Sequence, residues 1–104
     1  MKTLKKETNA PLGTIKVNVL EIKMWGLREA LILAAIRAVR ESENEEVRLT
    51  REELYNLTGL TAVKQRQAIK HLSDEKLLFC EMKGLPAKMY YTIMETEYEG
   101  EVEA

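Results

Sequence analysis

Cysteine, histidine and proline are scarce in this chain of 104 residues, which contains one Cys, one His and two Pro. The single cysteine, Cys80, excludes a disulfide within the chain. One cysteine and one histidine, His71, also fall short of the cluster of ligands that a zinc site requires. We therefore predict that the protein holds no metal and no other cofactor.

Long apolar runs are also missing. No segment reaches the roughly 20 consecutive apolar residues of a membrane-spanning helix, and the first residues, MKTLKKET, lack the apolar stretch of a signal peptide. The apolar content of 45% is enough for the core of one small domain. These features predict a soluble intracellular protein, located in the cytoplasm, with no membrane partner.

The motifs of the common catalytic sites are missing as well. The sequence contains no Gly-rich phosphate loop, no spacing typical of metal ligands and no Ser/His/Asp set. His71 lies beside Lys70 in a predicted helix, without the converging polar groups that acid–base catalysis needs. We expect that the protein is not an enzyme, and no small-molecule ligand is evident.

Charge is unevenly distributed along the chain, although the formal net charge is only −1. Residues 95–104 contain five glutamates and no base, so the other 94 residues carry a net charge of +4. We predict a flexible basic arm at 1–13, one domain at 14–94 and an acidic C-terminal tail at 95–104. The arm is either a solvated tail or a contact to phosphates.

The predicted domain begins with an alternating segment, 14–20, in which Ile15, Val17 and Val19 share one side; this predicts a half-buried strand. Residues 26–42 then predict a helix that is apolar nearly all round. Its second face needs a cover, which the N-terminal strand or a second copy of the chain could supply. Because exposed apolar patches mark interfaces, we favour a homodimer. The predicted dimer face consists of Ile32, Ala35, Ile36 and Val39.

The central feature of the chain is the segment 50–78, where two short helical patterns are separated by a glycine. Thr50 and Glu53 have the spacing of a capping box at a helix start, and Gly59 suits the left-handed conformation at a helix end. Thr61 then caps a second helix with apolar residues at three- and four-residue spacing. This order predicts a helix-turn-helix.

Strand patterns lie on both sides of that segment. Val47 and Leu49 predict a short strand before it, and residues 77–94 predict a hairpin with the turn GLPA. Alternate residues of the returning strand, from Met89 to Ile93, share the side that faces the core.

Together these residues resemble winged helix-turn-helix DNA-binding domains of transcription regulators. The similar runs are LTGLT at 57–61, AIKHL at 68–72 and LL at 77–78, which leads into the hairpin. The resemblance extends over residues 26–94. It implies an α+β fold, mainly α: a winged helix-turn-helix, here with an added N-terminal β-strand. It also implies that the second helix of the pair enters the major groove of duplex DNA.

The outer side of that second helix carries side chains suited to DNA. If its apolar residues face inward, the helical repeat turns the basic and amide side chains outward or to the flanks. Arg pairs with guanine, Gln pairs with adenine, and Lys neutralises phosphates. An ordinary solvated helix has a similar surface, but the turn and the hairpin favour DNA contact. The predicted recognition surface consists of Thr61, Lys64, Arg66, Gln67 and Lys70.

Four further DNA contacts are predicted outside that helix. Thr50 and Arg51 lie at a helix N-terminus that favours a phosphate, although Thr50 can equally serve as a cap alone. Lys83 and Lys88 flank the hairpin turn, where they either grip the DNA or protect the strand edge from pairing.

Two residues depart from the family pattern. Tyr55 stands where such domains usually have a small residue, and Gln65 stands where they usually have an aliphatic one. Since these positions generally touch, we predict a buried hydrogen bond between the Tyr55 hydroxyl and the Gln65 amide.

These observations predict sequence-specific binding of double-stranded DNA by a small dimeric transcriptional regulator, at a roughly palindromic site with half-sites about 34 Å apart. Two alternatives stay open. One is an origin-binding or replication-initiation module, because GLPAKMYY at 84–91 resembles wing sequences of phage-type replication proteins. The other is a winged helix that binds proteins without DNA, through its apolar first helix and its acidic tail.

Overall fold

Residues 15–94, the part of the chain that the computed structural model describes, form four helices and a three-stranded antiparallel sheet. The predicted α+β class is thereby confirmed. The predicted arm at 1–13 and the predicted tail at 95–104 lie outside the described residues. In chain order, the elements are α1 (Val19–Trp25), α2 (Leu27–Val39), β1 (Val47–Arg48), α3 (Arg51–Thr58), α4 (Ala62–Asp74), β2 (Leu78–Lys83) and β3 (Lys88–Ile93).

The predicted N-terminal strand is wrong over the described residues. Residues 15–18 have no regular structure, and Val19 already begins α1. The Asn18 side chain caps this helix, because its Oδ1 accepts the Leu20 N–H at 2.8 Å. The sheet places no strand beside residues 15–18, and a lone strand without a pairing partner is not stable.

α1 packs against α2 through a buried ion pair. The Arg37 guanidinium on α2 donates from Nη1 and Nη2 to the two carboxylate oxygens of Glu21 at 2.8 and 2.7 Å. Glu21 is only 1% exposed. A desolvated carboxylate is stable only when paired, so this bidentate contact fixes α1 on α2.

The predicted dimer face is wrong for three of its four residues. Ile32, Ala35 and Ile36 have no exposed surface in the single chain, whereas Val39 is 43% exposed. The three belong to the main core cluster together with side chains of α3, α4 and the sheet. These three residues are therefore covered by other elements of the same chain, whereas the N-terminal segment packs on α2 as the helix α1 rather than as a strand.

The sheet has the strand order β1–β3–β2, with every pairing antiparallel. Tyr91 on the central strand pairs with Val47 of β1 and with Cys80 of β2. Tyr91 and Ile93 are buried and Met89 is partly buried, so the predicted facing of the returning strand is confirmed. Among the helices of residues 15–94, none has the length and apolar character needed to cross a membrane.

Candidate functional site

α3 and α4 are joined by three residues whose local chemistry matches the prediction. The capping box is present: Glu53 N–H donates to Thr50 Oγ1 at 3.0 Å, and Thr50 N–H donates to Glu53 Oε1 at 2.8 Å. Gly59 has φ of 77°, a left-handed conformation that side chains with a Cβ rarely adopt. Thr61 caps α4 by accepting the Lys64 N–H, at a long 3.5 Å.

Gln65 fixes the start of α4 against the start of α3. Its side chain is 3% exposed, and Nε2 donates to the carbonyl oxygens of Arg51 at 3.1 Å and Leu60 at 2.9 Å. The predicted bond to Tyr55 is wrong, because Tyr55 is 53% exposed and the Gln65 amide donates to backbone carbonyls instead. Both donors of the amide are satisfied, so its burial carries no unpaired-donor penalty.

One flank of α4 faces the start of α2 and is occupied by polar contacts. Arg28 Nη1 donates to Gln67 Oε1 at 2.9 Å. His71 Nδ1 lies 2.8 Å from Glu29 Oε2. Gln67, predicted to contact DNA, therefore already has a partner within the chain. No local sequence pattern predicts these contacts, because the partners are 39 and 42 residues apart.

The opposite flank of α4 borders an open groove of about 580 Å³, here called the α4–hairpin groove. It runs between α4, the N-terminus of α3 and the hairpin formed by β2 and β3. Its cationic lining consists of Arg48, Arg51, Arg66, Lys70 and Lys88. Its apolar lining includes Leu49, Ile69, Cys80, Met82, Met89 and Tyr91.

Positive charge dominates this groove. Among the described residues, Asp74 is its single acidic lining residue, and it pairs with Lys70 at 3.0 Å where both side chains are well exposed. Within residues 15–94, the side chains of the four other cations make no hydrogen bond or ion pair. Four solvated cations around one cavity, with no side-chain partner among the described residues, favour an anionic ligand.

The apolar lining is poorly solvated, as its two titratable groups show. Burial raises the pKa of the Cys80 thiol to about 11. Burial also raises the pKa of Tyr91 to about 12; Cys80 adds to this rise and Arg51 opposes it. Cys80 is therefore a neutral thiol at physiological pH and a weak nucleophile, which gives no support to catalysis at this site.

The structure brings about half of the predicted DNA contacts together. Thr61, Lys64, Arg66, Gln67 and Lys70 are all exposed. Of the nine predicted DNA contacts, five line the groove, namely Thr50, Arg51, Arg66, Lys70 and Lys88. The N–H and hydroxyl of Thr50 are both bonded to Glu53, so Thr50 serves as a cap.

Lys83 is not in the groove. Its Nζ lies 2.6 Å from Glu46 and 4.9 Å from the centre of the Tyr90 ring. The hydrogen bond to Glu46 raises the pKa of Lys83 above its usual value.

Sequence reasoning missed Arg48, although its place between the apolar residues Val47 and Leu49 was a signal that it points outward.

Within the described part of the chain, no group of three or more His, Cys, Asp or Glu side chains is placed to hold a metal ion. The groove itself offers a ligand its cations and its apolar surface. Comparisons with models of protein families, with curated proteins and with solved structures give no match.

Proposed function

We propose that the protein is a winged helix-turn-helix protein that binds double-stranded DNA in a sequence-specific manner and acts as a dimeric transcriptional regulator. In this proposal α3 and α4 are the helix-turn-helix and the β2–β3 hairpin is the wing. The observation that carries the proposal is the α4–hairpin groove, where five cations face one acid beside a helix with an exposed basic side. A duplex is the polyanion whose groove width suits a single helix.

Four of the five groove cations have a role that follows from their position. Arg66 and Lys70 lie on α4 and are exposed, so they reach base edges or phosphates when α4 enters the major groove. Arg51 at the start of α3 and Lys88 at the hairpin turn contact phosphates beside the same flank of α4. Neutralising several phosphates releases counterions, and binding then weakens steeply as salt increases.

The decisive test compares two variants that each remove two positive charges. Arg66→Ala with Lys70→Ala should weaken duplex binding about 100-fold and lower the salt slope by about 2. Lys16→Ala with Lys23→Ala, at exposed positions outside the groove, should change the affinity less than about threefold. Fluorescence anisotropy with labelled duplexes measures both variants over a range of salt concentrations. Equal losses in the two would contradict the proposal.

Sequence specificity needs a separate measurement. Selection from random duplexes should yield one enriched motif, and the Arg66→Ala variant should lose preference at one base pair of it. If the recovered duplexes share no enriched motif, the protein binds only the DNA backbone, and the proposed regulatory role is rejected.

The homodimer stays part of the proposal, but through a different surface. Ile32, Ala35 and Ile36 offer no exposed area, so a dimer interface has to use exposed apolar side chains such as Val39. Sedimentation equilibrium should show a dimer, and selected sites should be palindromic with half-sites about one duplex turn apart. A monomer at high concentration would reject this part.

A further inference from the structure

The apolar lining of the α4–hairpin groove has no explanation in phosphate binding. Ile69, Met82 and Met89 offer apolar surface beside the cationic lining, and a phosphate backbone satisfies only the cations. A cavity of about 580 Å³ is of the size that encloses a large side chain or a short peptide. The ligand that fits both linings is an acidic peptide with an aromatic side chain.

Residues 95–104, ETEYEGEVEA, have that chemistry. Glutamate occupies every second position, and Tyr98 and Val102 lie at positions in between. In an extended backbone, successive side chains point to opposite sides. An extended peptide of this sequence therefore presents five carboxylates on one side, while Tyr98 and Val102 lie on the other.

The last described residue places this segment within reach of the groove. Met94 N–H donates to the Leu77 carbonyl at 2.8 Å, which fixes Met94 just beyond the C-terminus of α4. Ser73 and Asp74 line the groove at the same end of that helix. α4 has 13 residues and is about 20 Å long, whereas ten extended residues span about 33 Å. The segment is long enough to cross the whole groove.

We propose that residues 95–104 bind in the α4–hairpin groove of their own chain and compete with duplex DNA for it. Tyr98 packs on the apolar lining, and the glutamates approach the cationic lining. Covalent attachment gives the segment a high effective concentration, and Asp74 at the near end of the groove weakens the contact through like charge. Binding of residues 95–104 in the groove does not depend on the proposed function. Their competition with duplex DNA rests on the proposed DNA binding.

Cys80 provides a direct test in the full chain, because it lines the groove and is the single cysteine. Its alkylation by N-ethylmaleimide, a small neutral reagent, reports how well the groove is covered. Tyr98→Ala leaves every charge in place and should raise the alkylation rate about fivefold, through loss of the apolar contact. Tyr98→Phe keeps the ring and is the matched control, with a rate within about twofold of the unchanged chain.

Replacement of all five glutamates of the segment by glutamine should also raise the rate, because it removes the attraction to the cationic lining. Equal alkylation rates in the unchanged chain, the Tyr98→Ala chain and the glutamine chain would overturn the proposal. Slower alkylation at higher protein concentration would place the segment in the groove of another molecule, which overturns binding within one chain.

Duplex affinity of the same variants separates this proposal from the proposed function. Tyr98→Ala should bind duplex several-fold more tightly than the unchanged chain, at identical net charge. If no variant binds duplex but the differences in Cys80 alkylation persist, DNA binding fails and the segment contact stands. If all variants bind duplex equally and Cys80 reacts equally in all, the segment contact fails and DNA binding stands.

Discussion

Charged side chains are buried or partly buried, and paired, between α1 and α2, whereas most of those in the α4–hairpin groove are solvated and unpaired among the described residues. Between α1 and α2, the buried Glu21 carboxylate and the Arg37 guanidinium form a bidentate ion pair. In the groove, cations such as Arg66 and Lys88 stay solvated, with no side-chain partner within residues 15–94. A desolvated charge must be paired, whereas a solvated cation adds little to stability and stays available to a ligand. The first arrangement stabilises the fold, and the second suits binding.

The largest expected effect is on the free energy of unfolding, which should depend on the α1–α2 ion pair but not on the groove cations. Glu21→Ala should lower the free energy of unfolding by about 3 kcal/mol, because it leaves the partly buried Arg37 without its carboxylate. Glu43→Ala, an exposed position with the same charge change, should change it by less than about 0.5 kcal/mol. Urea unfolding measures both. Arg66→Ala with Lys70→Ala should resemble the Glu43 control, and a loss like that of Glu21→Ala would erase the distinction between the regions.

A smaller effect is expected where the groove depends on a buried contact. Gln65→Ala should destabilise the fold by about 1–2 kcal/mol, because the carbonyl oxygens of Arg51 and Leu60 lose their donor. It should also weaken duplex binding, since Gln65 sets α4 against α3. Tyr55→Phe is the control and should change stability by less than about 0.5 kcal/mol, as the exposed hydroxyl has no partner within residues 15–94. A large effect of Tyr55→Phe would contradict this expectation and support the predicted hydrogen bond between Tyr55 and Gln65.

A third effect should appear only at alkaline pH and concerns the apolar lining of the groove. Burial raises the pKa of Cys80 from 9.0 to about 11 and that of Tyr91 from 10.0 to about 12. The unfolded chain therefore loses these protons first, so stability is fully present below about pH 9 and falls as the pH rises toward 12. Cys80→Ala should flatten this decline in urea midpoints measured on both sides of pH 9. An identical decline in both proteins would show that the thiol is not desolvated.

The sequence predicted that much of the candidate site consists of outward-facing side chains. It did not predict that they line a groove. Helical spacing predicted that Arg66 and Lys70 turn outward, and the position of Lys88 beside the turn predicted a DNA contact. That Lys88 shares one groove with them is known only from the structure. The same reasoning could not foresee that Arg28 engages Gln67 or that Glu46 engages Lys83. Those partners come from distant parts of the chain, and only packing brings them within hydrogen-bond distance.

By itself, the sequence determined the features that depend on neighbours a few residues away. These are the capping box of Thr50 and Glu53, the left-handed end at Gly59 and the alternation of the returning strand. Tertiary structure alone decided that residues 19–25 form a helix on α2, and that Ile32, Ala35 and Ile36 are covered by their own chain. The physical reason is that burial, ion pairing and groove formation depend on residues far apart in sequence, whose contacts exist only after the chain has packed.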